Sequence, residues 1–201
     1  MKPEFRPDPV LKEVILIQPA RIGDARGWFS ETFNARLYAE AGIPVDFVQD
    51  NESRSEAMGT LRGLHFQLPP YAQGKLVRCT RGRILDVIVD IRHGSPTYGR
   101  HTRIELSAAK GEQVFVPAGF AHGFCTLQPD CEISYKVTNY YEPTAYYAPE
   151  FDRGLAFDDP SLGIEWPFPA SELVLSDRDR THPRLSELGD VFPLLTAGAA
   201  R

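Results

Sequence analysis

The densest cluster of polar side chains on an apolar strand lies at residues 62–67, which read Arg-Gly-Leu-His-Phe-Gln. Side chains alternate between the two faces of a strand, so His65 and Gln67 share one face. The apolar Leu64 and Phe66 share the other. If the apolar pair packs into a core, His65 faces the opposite surface, which can be the cavity of a barrel. A lone strand histidine has many structural uses, so its neighbours decide its significance.

Three further segments place polar groups on or beside apolar strands. Lys75 begins a strand after Gln73-Gly74, Tyr135 lies within an apolar strand, and His122 stands at the entry to another. Together these side chains could remove a proton next to a carbonyl, stabilise the enolate and return a proton from the other face. A neutral imidazole, with a reference pKa of about 6.5, suits the base in such a reaction.

Metal binding is the competing interpretation of the histidines. Many jelly-roll proteins hold an ion with two histidines two residues apart, followed by a glutamate and a later histidine. Here Gln67 stands where the second histidine would be. His65 and His122 alone supply two ligands, whereas stable sites usually need three or four. We therefore expect no metal.

Other polar segments keep two interpretations each. Residues 49–51 (Gln-Asp-Asn) form either a strand-ending turn or a ligand-binding triplet. Residues 26–31 form either a turn with a surface ion pair or an arginine site for phosphate. Residues 176–179 (Ser-Asp-Arg-Asp) form either a solvated turn or a carboxylate that orients a histidine. The remaining histidines have loop-like neighbours and are predicted to lie on the surface: His93, His101 and His182.

The composition is that of a folded globular protein. The 201 residues include 22 Lys and Arg against 27 Asp and Glu, giving a net charge of −5, and 42% are hydrophobic. The length predicts one domain over residues 1–201, with a C-terminal extension from about residue 160 packing on it. The mild acidity argues against nucleic-acid or membrane partners, which favour basic patches.

No apolar run approaches the ~20 residues of a membrane span, and the first residues lack the apolar core of a signal peptide. These features predict a cytoplasmic protein. Cys79, Cys125 and Cys131 are odd in number and lack Cys-x-x-Cys spacing. We interpret them as small core residues rather than disulfides or zinc ligands.

Short apolar runs separated by glycine and proline dominate the chain. They predict strands at Leu11–Ile17, Phe47–Gln49, Thr60–Gln67, Lys75–Cys79, Ile84–Ile91, Thr102–Leu106, Gln113–Val116, Gly123–Leu127 and Cys131–Val137. Strand starts about every 10 residues, without helical periods between them, favour an antiparallel all-β jelly roll, as a sandwich or barrel.

Helical signal is limited to two short segments. Asn34–Ala41 has a capping asparagine at its start and Gly42 after its end, and a second helix is predicted near Leu185–Leu188. Residues 140–160 form a long loop in which the pattern Tyr-Tyr-x-Pro occurs twice. Long ordered loops tend to be functional.

Taken in order, the motifs resemble those of the dTDP-4-dehydrorhamnose 3,5-epimerase family, cupin-like jelly-roll enzymes of deoxysugar biosynthesis. The resemblance runs from about Val10 to Leu185. It rests on ten segments: Arg26-Gly27 with Glu31, Gln49-Asp50-Asn51, Leu61–His65, Gln73–Val77, Asp86–Arg92, Ser95–Gly99, Gly119–Phe124, Ser134–Lys136, Asp159-Pro160 and Ile164–Pro167.

The resemblance implies a reaction on dTDP-4-dehydro-6-deoxyglucose without metal or cofactor. His65 would be the base next to the C4 ketone, and Asp179 would orient it. Tyr135 would donate a proton on the opposite ring face, and Lys75 would stabilise the enolate.

The resemblance also implies residues for the nucleotide. Arg26, Arg62 and Lys75 would bind the diphosphate, and His122 the sugar or phosphate. Glu31 and the Gln49, Asp50 and Asn51 triplet would bind the base. Tyr141 or Tyr147 would stack on the base, with Tyr147 favoured because the sequence after it continues as in the family. Asp152 would stand where a glutamate is common, and Arg178 where a lysine is common.

Three expectations complete the resemblance. The family's active unit is a homodimer that exchanges strands, which would also cover exposed edges. Its members include enzymes acting at both C3 and C5 and others acting at one carbon, and no motif separates them here. A metal-dependent cupin enzyme and a non-catalytic sugar-nucleotide binder are the more distant alternatives.

Overall fold

Two antiparallel sheets face each other in the computed structural model, which describes residues 2–141 and 151–192. The strands are β1 (Glu4–Pro7), β2 (Ile15–Gln18), β3 (Ile22–Asp24), β4 (Gly27–Phe29), β5 (Gln49–Ser55), β6 (Leu61–Gln67), β7 (Lys75–Arg81), β8 (Arg83–Asp90), β9 (His101–Ser107), β10 (Gln113–Val116), β11 (Phe120–Thr126), β12 (Cys131–Val137) and β13 (Asp152–Gly154). Helix α1 spans Ala35–Glu40, and two short 3-10 helices span Ala170–Glu172 and Leu185–Glu187.

The first sheet has the order β1-β2-β10-β7-β12-β5, and the second has the order β13-β6-β11-β8-β9. Strands β3 and β4 form a separate hairpin. The predicted all-β jelly roll with few short helices is confirmed. No helix among the described residues is long and apolar enough to cross a membrane.

The second sheet is buried on both faces. Its inner face, with Ile88 and Phe124, packs against Val77 of the first sheet. Its outer face carries Leu64 and Phe66, which lie in a second apolar cluster with C-terminal residues such as Leu162 and Leu188. The outer position of the apolar pair turns His65 inward, as the alternation on this strand predicts.

Glycine lets the centre of the second sheet close up. Gly63 has φ +125°, and a Cβ there would lie 2.7 Å from the Cα of Gly123. The register between β6 and β11 shifts at this point, and His65 pairs with His122 across it. This close approach brings two histidines side by side.

Several predictions about single elements are confirmed. Strands β10 and β12 have the predicted bounds. The Asn34 side chain accepts a hydrogen bond from the Leu37 amide and caps α1. All three cysteines are buried and free.

Three strand predictions need correction. Leu11 and Val14 are fully buried, but they lie in a turn held by Asp8. The strand predicted at Leu11–Ile17 therefore begins only at Ile15. Residues 49–51 do not end a strand but open β5, an edge strand whose polar sequence hides it. β11 begins at Phe120, which places His122 inside the strand and not at its entry.

The sequence analysis missed four short strands and the first 3-10 helix. Strands β1, β3, β4 and β13 have three or four residues each, too few for an alternating pattern. The predicted second helix near residue 185 is a single 3-10 turn.

Candidate active site

A cavity of about 310 Å³ lies between the two sheets. We call it the inner cavity. The ionisable side chains that line it are Arg62, His65, Lys75, His122, Tyr135, Arg178 and Asp179. A second cavity of about 370 Å³, the outer cavity, shares His65, Lys75, Tyr135 and Arg178 and adds Gln49, Asn51, Gln67, Tyr141 and Asp152.

The two sheets supply different parts of the inner cavity. His65 and His122 come from β6 and β11 of the second sheet, whereas Lys75 and Tyr135 come from β7 and β12 of the first. Facing sheets lie about 10 Å apart, which leaves room for a flat ring between them. His65 and Tyr135 therefore line the same cavity from opposite sheets.

His65 is bonded to a buried carboxylate. Its Nε2 lies 2.6 Å from Oδ1 of Asp179, which is only 5% exposed. Because an ionised carboxylate accepts hydrogen bonds, Nε2 carries the proton and Nδ1 keeps the lone pair. Burial lowers the pKa of His65, although Asp179 acts to raise it. This environment holds the ring neutral with one defined tautomer.

Asp179 is held by several donors. Burial would raise its pKa, but the hydrogen bonds from His182 and His65 bring the pKa well below its usual value. Ser176 Oγ donates to Oδ2 at 2.9 Å and accepts from the Asp179 amide at 3.1 Å. Of the two interpretations of residues 176–179, the structure therefore supports the second: Asp179 is a carboxylate bonded to a histidine.

Lys75 lies half-buried near the dyad. Its Nζ lies 3.4 Å from the backbone carbonyl of His65. Burial lowers the pKa of Lys75 to about 8, with Asp152 and Asp86 opposing the shift. Little solvent competes for this ammonium, and it loses its charge as the pH rises through about 8.

Tyr135 and His122 complete the polar lining. Burial raises the pKa of Tyr135, so this phenol keeps its proton at neutral pH. Nε2 of His122 lies 2.8 Å from Oδ2 of the buried Asp86. The cavity is therefore lined by two histidines on neighbouring strands, each bonded to a carboxylate.

The outer cavity is organised around Asp152. Arg178 donates to its Oδ2 at 2.7 Å, and the Tyr141 hydroxyl donates to the same oxygen at 3.0 Å. Gln49 accepts from the Tyr141 amide at 2.9 Å and donates to Asn51 at 2.7 Å. These polar side chains form one connected wall.

Gln67 is a residue of this wall whose role the sequence analysis missed. It is 6% exposed, and among the described residues neither atom of its amide has a hydrogen-bond partner. Buried amides are normally paired, so Gln67 is available to a ligand group that both donates and accepts. Its position two residues after His65 on one strand face was the available signal.

The structure does not bring three of the predicted residues into either cavity. Arg26 is 90% exposed on the β3–β4 hairpin and pairs with Asp24. Glu31 accepts from the capping Asn34. Asp50 lies on the opposite face of β5 from Asn51 and bonds Lys136 at 2.8 Å. Tyr147 lies outside the described residues.

His182 was predicted to be a surface residue, and this is wrong. Its side chain is 8% exposed, and its Nε2 lies 3.3 Å from Asp179 Oδ1. His65, Asp179 and His182 are the one group among the described residues with ligating atoms close enough to hold a metal, within 4.8 Å of one another. The two contacts to Oδ1 have hydrogen-bond lengths, so we interpret the group as two N–H donors on one carboxylate.

A jelly roll with a histidine–aspartate pair, a lysine and a tyrosine around one cavity has the side chains that an acid–base enzyme needs. The description "dTDP-4-dehydrorhamnose 3,5-epimerase" belongs to the family model that matches residues 9–187. The chain belongs to this family, whose members are isomerases acting on a sugar nucleotide.

The relatives span most of the chain. A dTDP-4-dehydrorhamnose 3,5-epimerase of Sinorhizobium fredii is 55% identical over 89% of this chain and 88% of its own. That of Escherichia coli is 45% identical over 89% of this chain and 92% of its own.

Solved structures agree with this assignment. A 3,5-epimerase from Legionella pneumophila in complex with dTDP-4-keto-L-rhamnose superposes with a TM-score of 0.87 at 39% identity, covering 97% of this chain and all of the other. A 3'-monoepimerase from Streptomyces bikiniensis in complex with dTDP-quinovose gives a TM-score of 0.82 at 33% identity, covering 94% of this chain and 92% of its own.

Proposed function

We propose that this chain converts dTDP-4-dehydro-6-deoxy-D-glucose to dTDP-4-dehydro-L-rhamnose by inverting C3 and C5. The observation that carries the mechanism is the His65–Asp179 pair facing Tyr135 across a single cavity. Family membership supports the substrate. A ketone at C4 acidifies both neighbouring carbons, so one enolate chemistry serves both centres.

His65 removes the proton. Its Nδ1 has the lone pair because Nε2–H donates to Asp179 at 2.6 Å. When Nδ1 takes the substrate proton, the ring becomes a cation, and the adjacent carboxylate stabilises that charge. Asp179 therefore acts in both the orientation of the base and the stabilisation of its product.

Lys75 stabilises the negative charge that develops on the C4 oxygen. A buried ammonium acts more strongly on a nearby oxyanion than an exposed one because water screens it less. The charge must be present before the reaction, and Lys75 carries it below its pKa of about 8.

Tyr135 returns a proton from the other ring face. It projects from the first sheet, whereas His65 projects from the second. Because the proton leaves towards one sheet and arrives from the other, the carbon is inverted. Arg62, which also lies near this phenol, acts to lower its pKa against the effect of burial.

The outer cavity takes the nucleotide. Arg62 lines the inner cavity and Arg178 lines both cavities, and their fork geometry suits the oxygens of a diphosphate that joins the sugar to the nucleoside. The base would lie against the wall formed by Gln49, Asn51 and Tyr141, where Gln67 also offers its unpaired amide. We propose Tyr141 as the stacking aromatic because it lines this cavity.

The active unit is a homodimer in this proposal. Three exposed apolar side chains lie on the β3–β4 hairpin: Ile22 and Phe29, which pair across the two strands, and Trp28 on the other face. A clustered apolar surface of this kind favours a protein partner. A second copy would cover it, and its Arg26 and Glu31 could then reach the outer cavity of the first. We also place the enzyme in the cytoplasm, since three free thiols suit a reducing compartment.

A mono-epimerase is the second candidate function. A solved 3'-monoepimerase is similar to this chain with a TM-score of 0.82, so a chain with this fold can act at a single carbon. The same first step occurs in each, so the number of exchanging carbons separates them.

The first prediction concerns the base. In deuterated water, proton NMR of dTDP-4-dehydro-6-deoxyglucose with the enzyme will show exchange at both C3 and C5. His65→Ala will lower both rates by about 1,000-fold, since general acid–base catalysis contributes about 10²–10⁴. His93→Ala, on an exposed loop, is the control. Exchange at one carbon alone would indicate a mono-epimerase, and exchange that survives His65→Ala would exclude this base.

The second prediction concerns Lys75. The value of kcat/KM will fall above about pH 8, because Lys75 loses its positive charge as the pH rises through its pKa. It will also fall at low pH, below the ordinary histidine pKa, because His65 then becomes protonated. In Lys75→Arg the alkaline fall will disappear, since a guanidinium stays charged. An alkaline limb unchanged in this variant would assign it to another group.

The third prediction separates the two tyrosines. Tyr141→Ala will raise KM by about tenfold or more with a smaller change in kcat, because base–aromatic stacking is worth about 1–3 kcal/mol. Tyr147→Ala will change KM by less than about threefold, well under the loss of one stacking contact. The reverse pattern would make Tyr147 the stacking residue.

The fourth prediction concerns the dimer. Sedimentation equilibrium will give twice the chain mass of 22.5 kDa. Phe29→Asp will give a monomer with a raised KM, whereas Met58→Asp, a similarly exposed apolar residue on another loop, will leave both unchanged. A monomer at all concentrations of the parent protein would overturn the dimer.

A further inference from the structure

A second histidine contacts the carboxylate of the proposed catalytic pair. His182 follows Asp179 by three residues, and its Nε2 lies 3.3 Å from Oδ1. His65 Nε2 lies 2.6 Å from the same oxygen. One carboxylate oxygen thus accepts from two imidazoles, while Oδ2 accepts from Ser176.

The chain makes room for this ring at Gly154 of β13. A Cβ on Gly154 would overlap three atoms of the His182 imidazole. Gly154 does not have a positive φ, so its backbone does not require glycine. Glycine at position 154 therefore leaves the space that the His182 ring occupies.

The position of the ring is also fixed from other sides. The rings of His182 and His65 meet edge to face, with centroids 5.5 Å apart and an angle of 88°. The carbonyl of the next residue, Pro183, accepts from the Ala156 amide at 2.8 Å. His182 is thus held in place by the backbone after it and by both partners of its ring.

We propose that His182 is a positioning residue that holds Asp179 against His65 and limits how strongly this carboxylate raises the basicity of His65. The inference rests on the proposed role of His65 as the base. A carboxylate oxygen that accepts a second N–H has less charge to offer the first. His65 is then less readily protonated, so it stays a neutral base at lower pH.

Other charged groups also face His65, and they stay in place in the test below. Lys75 on β7 and Arg178 in the C-terminal turn both act to lower the pKa of His65. Asp152 on β13 interacts with His65 in the opposite sense. On the neighbouring strands lie His122 of β11 and, bonded to it, Asp86 of β8.

The test compares two substitutions in the full-length protein. His182→Leu introduces an apolar side chain of similar size without a donor, and His182→Gln keeps an N–H near the position of the imidazole Nε2, where it can bond Asp179. Two readouts are used: the titration of the His65 ring by NMR in free enzyme, and the pH dependence of kcat/KM.

In His182→Leu the His65 titration and the acid limb of kcat/KM will both move upward by about 0.5–1 pH unit. The value of kcat will fall by about tenfold, because Asp179 loses a restraint, with KM changed less than about twofold. His182→Gln will keep the parent titration. A titration unmoved by leucine would overturn the proposal, as would an equal shift in both variants, since that would reflect packing alone.

A third variant covers failure of His182→Leu to fold, judged by thermal unfolding. Gly154→Ala displaces the imidazole and keeps every charged group, so it must raise the His65 titration as leucine does. An unmoved titration there would also overturn the proposal. The NMR titration needs no turnover, so it stays informative if the parent enzyme shows no C3 or C5 exchange, which would contradict the proposed function separately.

Discussion

The hydrogen bond between His65 and Asp179 joins residues that lie 114 positions apart in the chain, and the rest of the site is built around it. A carboxylate that is 5% exposed is costly to bury unless donors surround it. Those donors come from distant parts of the chain. His65 lies in β6, whereas Ser176 and His182 lie in the C-terminal segment more than 100 residues later. The proposed catalytic pair exists only when that segment is in place.

Several backbone contacts hold the C-terminal segment in place. Val174 donates to Gly59 and accepts from Leu61, which pins the chain to the start of β6 just before the Asp179 turn. On the other side of the turn, the Leu185 amide donates to Asp159 at 2.7 Å. Apolar residues of the segment also cover the outer face of the second sheet. The same packing that completes the core therefore fixes the carboxylate.

The sequence predicted those parts of the site that follow from one strand. His65 and Gln67 alternate with Leu64 and Phe66, and the packing of the apolar pair is enough to turn His65 inward. Strand alternation carries no information about which distant residue meets that histidine. The pairing of His65 with Asp179 was available only through the family resemblance.

Two parts of the chain were misjudged from the sequence, each for a different physical reason. Residues 49–55 form an edge strand with one face on the cavity and one on solvent, so their sequence is polar throughout. His182 stands between Thr181 and Pro183, a context typical of exposed loops. Its burial depends on a glycine 28 positions earlier, and a contact of that kind leaves no local periodicity.

Burial of the inner cavity acts on the proposed base and on the proposed oxyanion partner at once. It lowers the pKa of both His65 and Lys75. For His65 the effect is useful because the ring must be neutral to accept a proton. For Lys75 it has two opposing consequences: the ammonium acts on the enolate with less screening, but it holds its proton less tightly.

Asp152 and Asp86 limit that loss, since both act to keep Lys75 charged. These two carboxylates therefore influence the charge of Lys75 in addition to their own hydrogen bonds. Without them, the desolvation that gives Lys75 its strength as an oxyanion partner would lower its pKa further. Burial therefore holds His65 neutral against the opposing effect of Asp179, while Asp152 and Asp86 act to keep the neighbouring Lys75 charged.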